Sequence, residues 1–266
     1  MAWDPAQYLK FAGPRLRPAL DLLQRIDAEA PSSVYDLGAG AGNVTRLIAA
    51  RWPEARVIGI DSSREMLAKA AAETLGGAAS GGHPAARISW QQADLATWRP
   101  DRPADIIYSN AALHWLDGHD RLLPGLVAGL APKGVLALQM PRNFAAPSHT
   151  LITETALDGP WRPVLEPLLR PAPVAEPEFY YDLLAPTAAS LDIWETEYLQ
   201  VLDGANPVKE WTKGTWLLPL LAALDEPERS HFEAAYAKRV AAAYPPRSDG
   251  KTLFPFRRMF LIATAA

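Results

Sequence analysis

The sequence predicts an α/β fold: a doubly wound, mostly parallel sheet with helical insertions late in the chain. Three observations predict it. Val34-Tyr-Asp-Leu-Gly-Ala-Gly-Ala-Gly-Asn43 reads as a buried strand, a tight glycine turn and a helix start. Val57-Ile-Gly-Ile-Asp61 then reads as a second strand ending in a carboxylate. Strand and helix patterns keep alternating up to Gln139, and that rhythm implies a parallel sheet with helices on both faces.

Each element has its own signal. Leu16, Leu20, Leu22, Leu23 and Ile26 lie at helical spacing, so a helix is expected within 5–29. Strand one is expected over 34–37, followed by a helix over 43–51 that ends before Pro53. Strand two covers 56–60. Ser62 or Ser63 is placed to cap a helix over 64–74, with Glu65 in its first turn. The glycine- and alanine-rich stretch 76–84 reads as a loop. Strands three, four and five are expected over 88–91, 104–109 and 134–139, with a helix over 121–130 stopping before Pro132. Residues 141–190 read as helical fragments broken by prolines, 191–201 as a strand, 207–243 as helices and 256–264 as a closing strand.

Composition narrows the function. The chain has 266 residues, is 49% hydrophobic, and has a formal charge of −4 spread over 26 basic and 30 acidic residues. That balance supplies a core but no basic footprint for nucleic acid. Without cysteine there is no disulfide frame and no thiolate chemistry. No apolar run approaches a bilayer span, and the N-terminal residues lack the basic and apolar regions of a signal peptide. A cytoplasmic protein is expected, with no membrane or nucleic-acid partner and no obligatory protein partner evident. The 25 prolines crowd the second half, where irregular connections between short helices follow.

The glycine turn selects a cofactor. A dinucleotide fingerprint wants a small residue where Asn43 stands, so that the helix can lie under a pyrophosphate. Asp36, two residues before Gly38, would repel a pyrophosphate but suits an ammonium group. S-adenosylmethionine carries an ammonium and no phosphate, and Gly38, Gly40 and Asn43 are expected to line its pocket with Asp36. At the end of strand two, Asp61 is placed for the ribose hydroxyls, with Ser62 beside it. After strand three, the Asp94 carboxylate and Leu95 amide suit an adenine edge. After strand four, the backbone at Asn110 is expected to accept from the cofactor ammonium, while His114 and Trp115 face the methyl group or close its pocket. A lone histidine beside a tryptophan is more often packed than catalytic, so no general base is assigned to it. No metal-ligating group stands out.

These blocks resemble the class I S-adenosylmethionine-dependent methyltransferases. The wider set narrows the resemblance to the trans-aconitate 2-methyltransferase family: Trp3-Asp-Pro-Ala-Gln-Tyr8, Arg15-Leu-Arg17-Pro18, Gln139-Met-Pro-Arg142-Asn143-Phe, Tyr180-Tyr181-Asp-Leu-Leu, Asp192-Ile-Trp194-Glu-Thr-Glu-Tyr198 and Phe256-Arg-Arg258-Met-Phe260. The resemblance implies a Rossmann-like core of seven strands, mostly parallel with the last antiparallel. It implies a single methyltransferase domain over 1–266, a cofactor core over 31–142, and a helical lid from 143–190 and 204–250. It also implies methyl transfer to a carboxylate of a small di- or tricarboxylic acid such as trans-aconitate, with S-adenosylhomocysteine as the other product. A carboxylate with a pKa near ~4 is already ionised, so positioning rather than a catalytic base is expected. Acceptor contacts are then expected from Trp3, Tyr8, Arg15, His114, Asn143, His149, Tyr180, Tyr181 and Arg258, with Arg17 and Arg142 as further cations. One block departs from the family. Leu218, before Pro219, stands where an arginine is usual, and Trp216 replaces what is often glycine. If that arginine grips a carboxylate, another cation must serve here. The competing readings are a methyltransferase for another acid or a hydroxyl, a non-catalytic cofactor-binding protein, and, more distantly, a nicotinamide dehydrogenase.

Overall fold

The structure, a computed structural model, describes residues 12–78 and 87–266, with side chains over 16–75 and 87–266. Trp3, Tyr8 and the side chain of Arg15 lie outside the described residues, as do residues 79–84 of the expected loop. In chain order the elements are α1 (Ala12–Arg25), β1 (Ser33–Leu37), α2 (Asn43–Arg51), β2 (Arg56–Asp61), α3 (Arg64–Ala78), β3 (Ile88–Gln92) and β4 (Ala104–Asn110). A 3-10 turn over Leu113–Trp115 leads to α4 (His119–Val127) and β5 (Leu130–Pro141). Then come α5 (Pro147–Leu157), α6 (Arg162–Leu165), α7 (Pro177–Leu184), β6 (Ala188–Leu202), α8 (Pro207–Lys213), α9 (Leu218–Ala222), α10 (Glu228–Ala243) and β7 (Thr252–Ala265).

The seven strands form one sheet in the order β3-β2-β1-β4-β5-β7-β6, with β7 antiparallel. β1 runs parallel to β2 on one side and to β4 on the other, pairing Asp36 with Gly59 and with Tyr108. All five β1 residues are buried, as expected for a strand covered on both faces. The chain order reverses between β1 and β4, and that switch point is where ligands bind in open α/β sheets.

Two compact units divide the chain. The sheet unit takes Leu16–Met140, Pro173–Thr196 and Met259–Ala266; the helical unit takes Pro141–Ala172 and Glu197–Arg258. β6 and β7 contribute residues to both. α7, within the segment read from sequence as lid, clusters with the sheet unit. The helical unit has its own core of Ile152, Trp161, Leu165, Trp211, Leu217, Phe232, Tyr236 and Phe254 among others. Trp161 meets Phe232 edge-on at 5.4 Å, and Trp211 meets Phe254 at 5.6 Å. Each fully buried side chain of this size contributes roughly 2–3 kcal/mol of transfer free energy, which the ordering entropy largely offsets.

The expected order of elements is present, with bounds that shift for physical reasons. The helix expected over 121–130 ends at Val127, and Pro132 lies inside β5 instead of after a helix. The β4–β5 register jumps from Ala104↔Leu130 to Ile106↔Val135. Lys133 takes a left-handed φ of 62° there, so the segment is a bulge, where a proline's missing donor costs the ladder nothing. α3 runs on to Ala78, past the glycines expected to end it, and β6 and β7 are longer than their sequence signals. Among the described residues no helix is long and apolar enough to cross a membrane, and no group of acidic, histidine or cysteine side chains could hold a metal ion.

Candidate functional site

The carboxyl edge of the sheet unit gathers most residues expected at the cofactor. The glycine turn after β1 is pinned to β2, because the Gly38 and Ala39 amides donate to the Ile60 carbonyl at 2.8 and 3.0 Å. Gly38 has φ +78°, and a Cβ built on it would lie 2.1 Å from the Ala112 Cβ. No side chain fits there. Gly42 instead accommodates Trp90 of β3, whose ring would be 2.4 Å from an added Cβ; the same ring fills the space beside Gly59.

Asp61 braces this turn. One carboxylate oxygen accepts from the Gly40 amide at 2.9 Å, and the other from the Ser63 amide at 2.8 Å. Ser63, of the two serines considered, caps α3 by accepting from the Met66 amide at 3.3 Å. Ser62 is exposed, and its carbonyl accepts from Gln92. Asp36 is buried, 2% exposed, and takes the Thr45 hydroxyl proton at 2.6 Å. Burial pushes its pKa up to about 7; the Thr45 bond works against that rise and the nearby Asp61 charge adds to it. Asn43 is exposed and accepts from Arg46 at 2.7 Å, while Arg46 also donates to the Ala41 carbonyl at 3.1 Å.

After β3, Asp94 is exposed and accepts from the Ala96 amide, while Leu95 is buried beside it. After β4, Asn110 is half-buried, and its Oδ1 is buried with no hydrogen-bond partner among the described residues. A buried acceptor left unsatisfied is costly. Ala111 follows in a left-handed conformation, φ 53°, a strained state for a residue with a Cβ. His114 is buried against the half-buried Trp115, ring centroids 4.7 Å apart.

Tyr180, expected at the acceptor, is a residue of α7. It is fully buried in the sheet unit, its hydroxyl 2.9 Å from His119 Nδ1 and accepting from the Ala175 amide. Neighbouring Tyr181 is 56% exposed, and Arg17 is exposed on α1.

In the helical unit, Asn143 is buried. Its Oδ1 accepts from the Arg257 amide at 3.1 Å and its Nδ2 donates to Ser148 Oγ at 3.3 Å. Ser148 Oγ lies 2.9 Å from His149 Nδ1, so with the serine proton directed there the imidazole carries its own proton on Nε2. Burial lowers the His149 pKa to about 4, leaving a neutral donor near pH 7. His149 lines a cavity of about 280 Å³ with Phe144, Thr150, Thr153, Arg170 and Trp216. Trp216, at the position that departs from the family block, packs on Phe144 at 5.0 Å, while Leu218 opens α9. Arg258 is buried with its guanidinium 4.7 Å from the Phe256 ring centre; Arg142 is half-buried, its amide donating to the Arg257 carbonyl.

Four participants carry no sequence signal strong enough to single them out. Thr45 and Arg46 look like ordinary helix residues, and Trp90 like a strand aromatic. His119 sits at a helix start with no local partner. Only spatial neighbours define their roles.

A profile described as a methyltransferase domain matches residues 34–134. The YcgJ protein of Bacillus subtilis shares the fold at TM-score 0.61 and 15% identity, covering 94% of this chain and 98% of that one. Coclaurine N-methyltransferase bound to N-methylheliamine and S-adenosylhomocysteine matches at TM-score 0.54 and 15% identity, covering 94% and 72%. The fold and the glycine turn define a class I methyltransferase. A trans-aconitate 2-methyltransferase from Azoarcus sp. is 49% identical over 98% of each chain, and one from Streptomyces avermitilis is 46% identical over 98% of this chain and 96% of the other. The chain belongs to the trans-aconitate 2-methyltransferase family.

Proposed function

We propose that the protein uses S-adenosylmethionine to methylate a carboxylate of a small di- or tricarboxylic acid, with trans-aconitate as acceptor and a monomethyl ester as product. Full-length similarity to relatives bearing that name carries the choice of acceptor. The sheet edge suits the cofactor: Asp36, Asp61 and Asn110 Oδ1, which has no partner among the described residues, are acceptors suited to an ammonium and ribose hydroxyls, not to a pyrophosphate.

When bound, S-adenosylmethionine supplies an electrophilic methyl group on a sulfonium. Asn110 Oδ1 and ionised Asp36 hold the ammonium, Asp61 with Ser62 meets the ribose, and Asp94 with the Leu95 amide reads the adenine. Gly38, Gly40 and Asn43 form the turn beneath them, and His114 and Trp115 wall the methyl side. Arg142 and Arg258 neutralise carboxylates that do not react, with His149 Nε2–H and Asn143 as neutral donors; Arg15, Tyr181, Trp3 and Tyr8 belong to the same acceptor set. In this reading the helical segments serve as the acceptor's cover and exclude water from it. An ionised carboxylate needs no base, so the residues' work is alignment, with reacting atoms held roughly 3 Å apart. A cytoplasmic location, and action without an obligatory protein partner, go with this reading.

The test is methyl transfer from labelled S-adenosylmethionine to a panel of di- and tricarboxylic acids, scored as base-labile methyl ester. Ester on trans-aconitate is expected. Binding of the cofactor with no ester on any acid would remove the acceptor assignment, and base-stable product on a hydroxyl acid would replace it.

A further inference from the structure

We propose that His119 and Tyr180 are positioning residues for the turn after β4: together they hold the Leu113 carbonyl, and through it set His114 and Trp115. The proposal rests on the reading that this turn contacts the cofactor.

The turn is weak by itself. It is three residues of 3-10 helix, whose hydrogen bonds have poor geometry, and it leaves β4 through strained Ala111. Its backbone bonds are Trp115 N–H to the Ala112 carbonyl at 3.1 Å and Leu116 N–H to the Leu113 carbonyl at 3.0 Å. A second donor reaches that same carbonyl: His119 Nε2, at 2.9 Å. A carbonyl only accepts, so Nε2 is the donor in that bond. The Tyr180 hydroxyl lies 2.9 Å from Nδ1, and its oxygen accepts from the Ala175 amide at 3.2 Å. Ala175, Tyr180, His119 and Leu113 are thereby joined in one hydrogen-bonded series. Tyr180 is fully buried and His119 nearly so, with ring centroids 5.8 Å apart, and in such a setting a broken link is not replaced by water. The strut fastens α7, distant in sequence, to the three-residue turn.

His119→Gln keeps a donor and an acceptor on one side chain; His119→Leu removes both. Tyr180→Phe removes one hydroxyl and keeps the packing. Asp105→Ala is the stability control: it removes the acceptor of the Ser32 and Ser33 bonds at the start of β4, at the other end of that strand from the turn. Trp115→Ala tests the underlying reading. The measurements are the Kd for S-adenosylmethionine by calorimetry, KM and kcat for the acceptor, and Tm. His119→Leu is expected to weaken cofactor binding about tenfold, Tyr180→Phe about threefold, and His119→Gln to restore most of the loss. Asp105→Ala is expected to lower Tm without moving Kd. If Trp115→Ala weakens binding while the His119 and Tyr180 variants lower only Tm, the positioning role is wrong and the reading of the turn stands. If Trp115→Ala leaves Kd unchanged, that reading falls and the proposal with it. Should His119→Leu fail to fold, Tyr180→Phe decides: an unchanged Kd overturns the proposal.

Discussion

A Cβ on Gly38 would stand 2.1 Å from the Cβ of Ala112, so the turn after β1 and the turn after β4 touch with no room for a side chain between them. Gly38 also holds a left-handed φ of +78°, which a Cβ disfavours by about 1–2 kcal/mol before any overlap is counted. Gly38→Ala is therefore expected to lose about 2 kcal/mol or more of stability and to reduce S-adenosylmethionine affinity by at least about tenfold. Urea unfolding and calorimetry check the two effects; a variant with wild-type affinity would show that the contact is not needed for the site.

Asp36 links stability to pH. Its pKa is about 7 in the folded chain against an ordinary 3.8, so between those values the folded state holds a proton that the unfolded state has released. Stability contributed by this group is present at low pH and is lost as pH rises toward about 7. Asp36→Asn is expected to raise stability above pH 7 by roughly 1–3 kcal/mol while weakening cofactor binding. Binding to the unmodified protein is expected to tighten as pH rises through about 7, because the ionised carboxylate is the form that pairs with an ammonium. Calorimetric titrations from acid to mild base, with denaturant curves alongside, measure both trends. Affinity independent of pH would exclude the pairing.

Asn110 separates binding from folding. Its buried Oδ1 has no partner among the described residues, so removing it sacrifices no hydrogen bond to any of them. Asn110→Ala is expected to change stability by no more than about 1 kcal/mol and to weaken S-adenosylmethionine binding by about tenfold. Thermal melts and calorimetry on the same preparation test this. A large fall in Tm with unchanged Kd would make Asn110 a structural residue.

The sequence made the cofactor half of this protein legible because its signals are local. The Val34–Asn43 run and Asp61 each announce a strand, a turn and a carboxylate within a few residues, and β1, α2 and β2 lie close to where they are expected. Signals failed where long-range pairing decides. Pro132 looks like a helix stop, yet it sits in a bulge set by β4, which no local pattern reveals. Likewise no local pattern pairs Tyr180 with His119, 61 positions away. Trp90 gives no sign that Gly42 and Gly59 must make room for it. The arginines proposed for the acceptor side belong to no local pattern, so resemblance named them and periodicity did not.

In the proposed reaction the protein aligns an already ionised carboxylate and supplies no base. The most direct test is kcat for methylation of trans-aconitate against pH, at saturating cofactor so that Asp36 titration does not enter. Burial holds His149 at about 4, so it is neutral throughout and gives no limb near neutrality. The expected profile is flat from about pH 6 to 9. A rate that climbs with pH across that range would show a base at work and contradict the account.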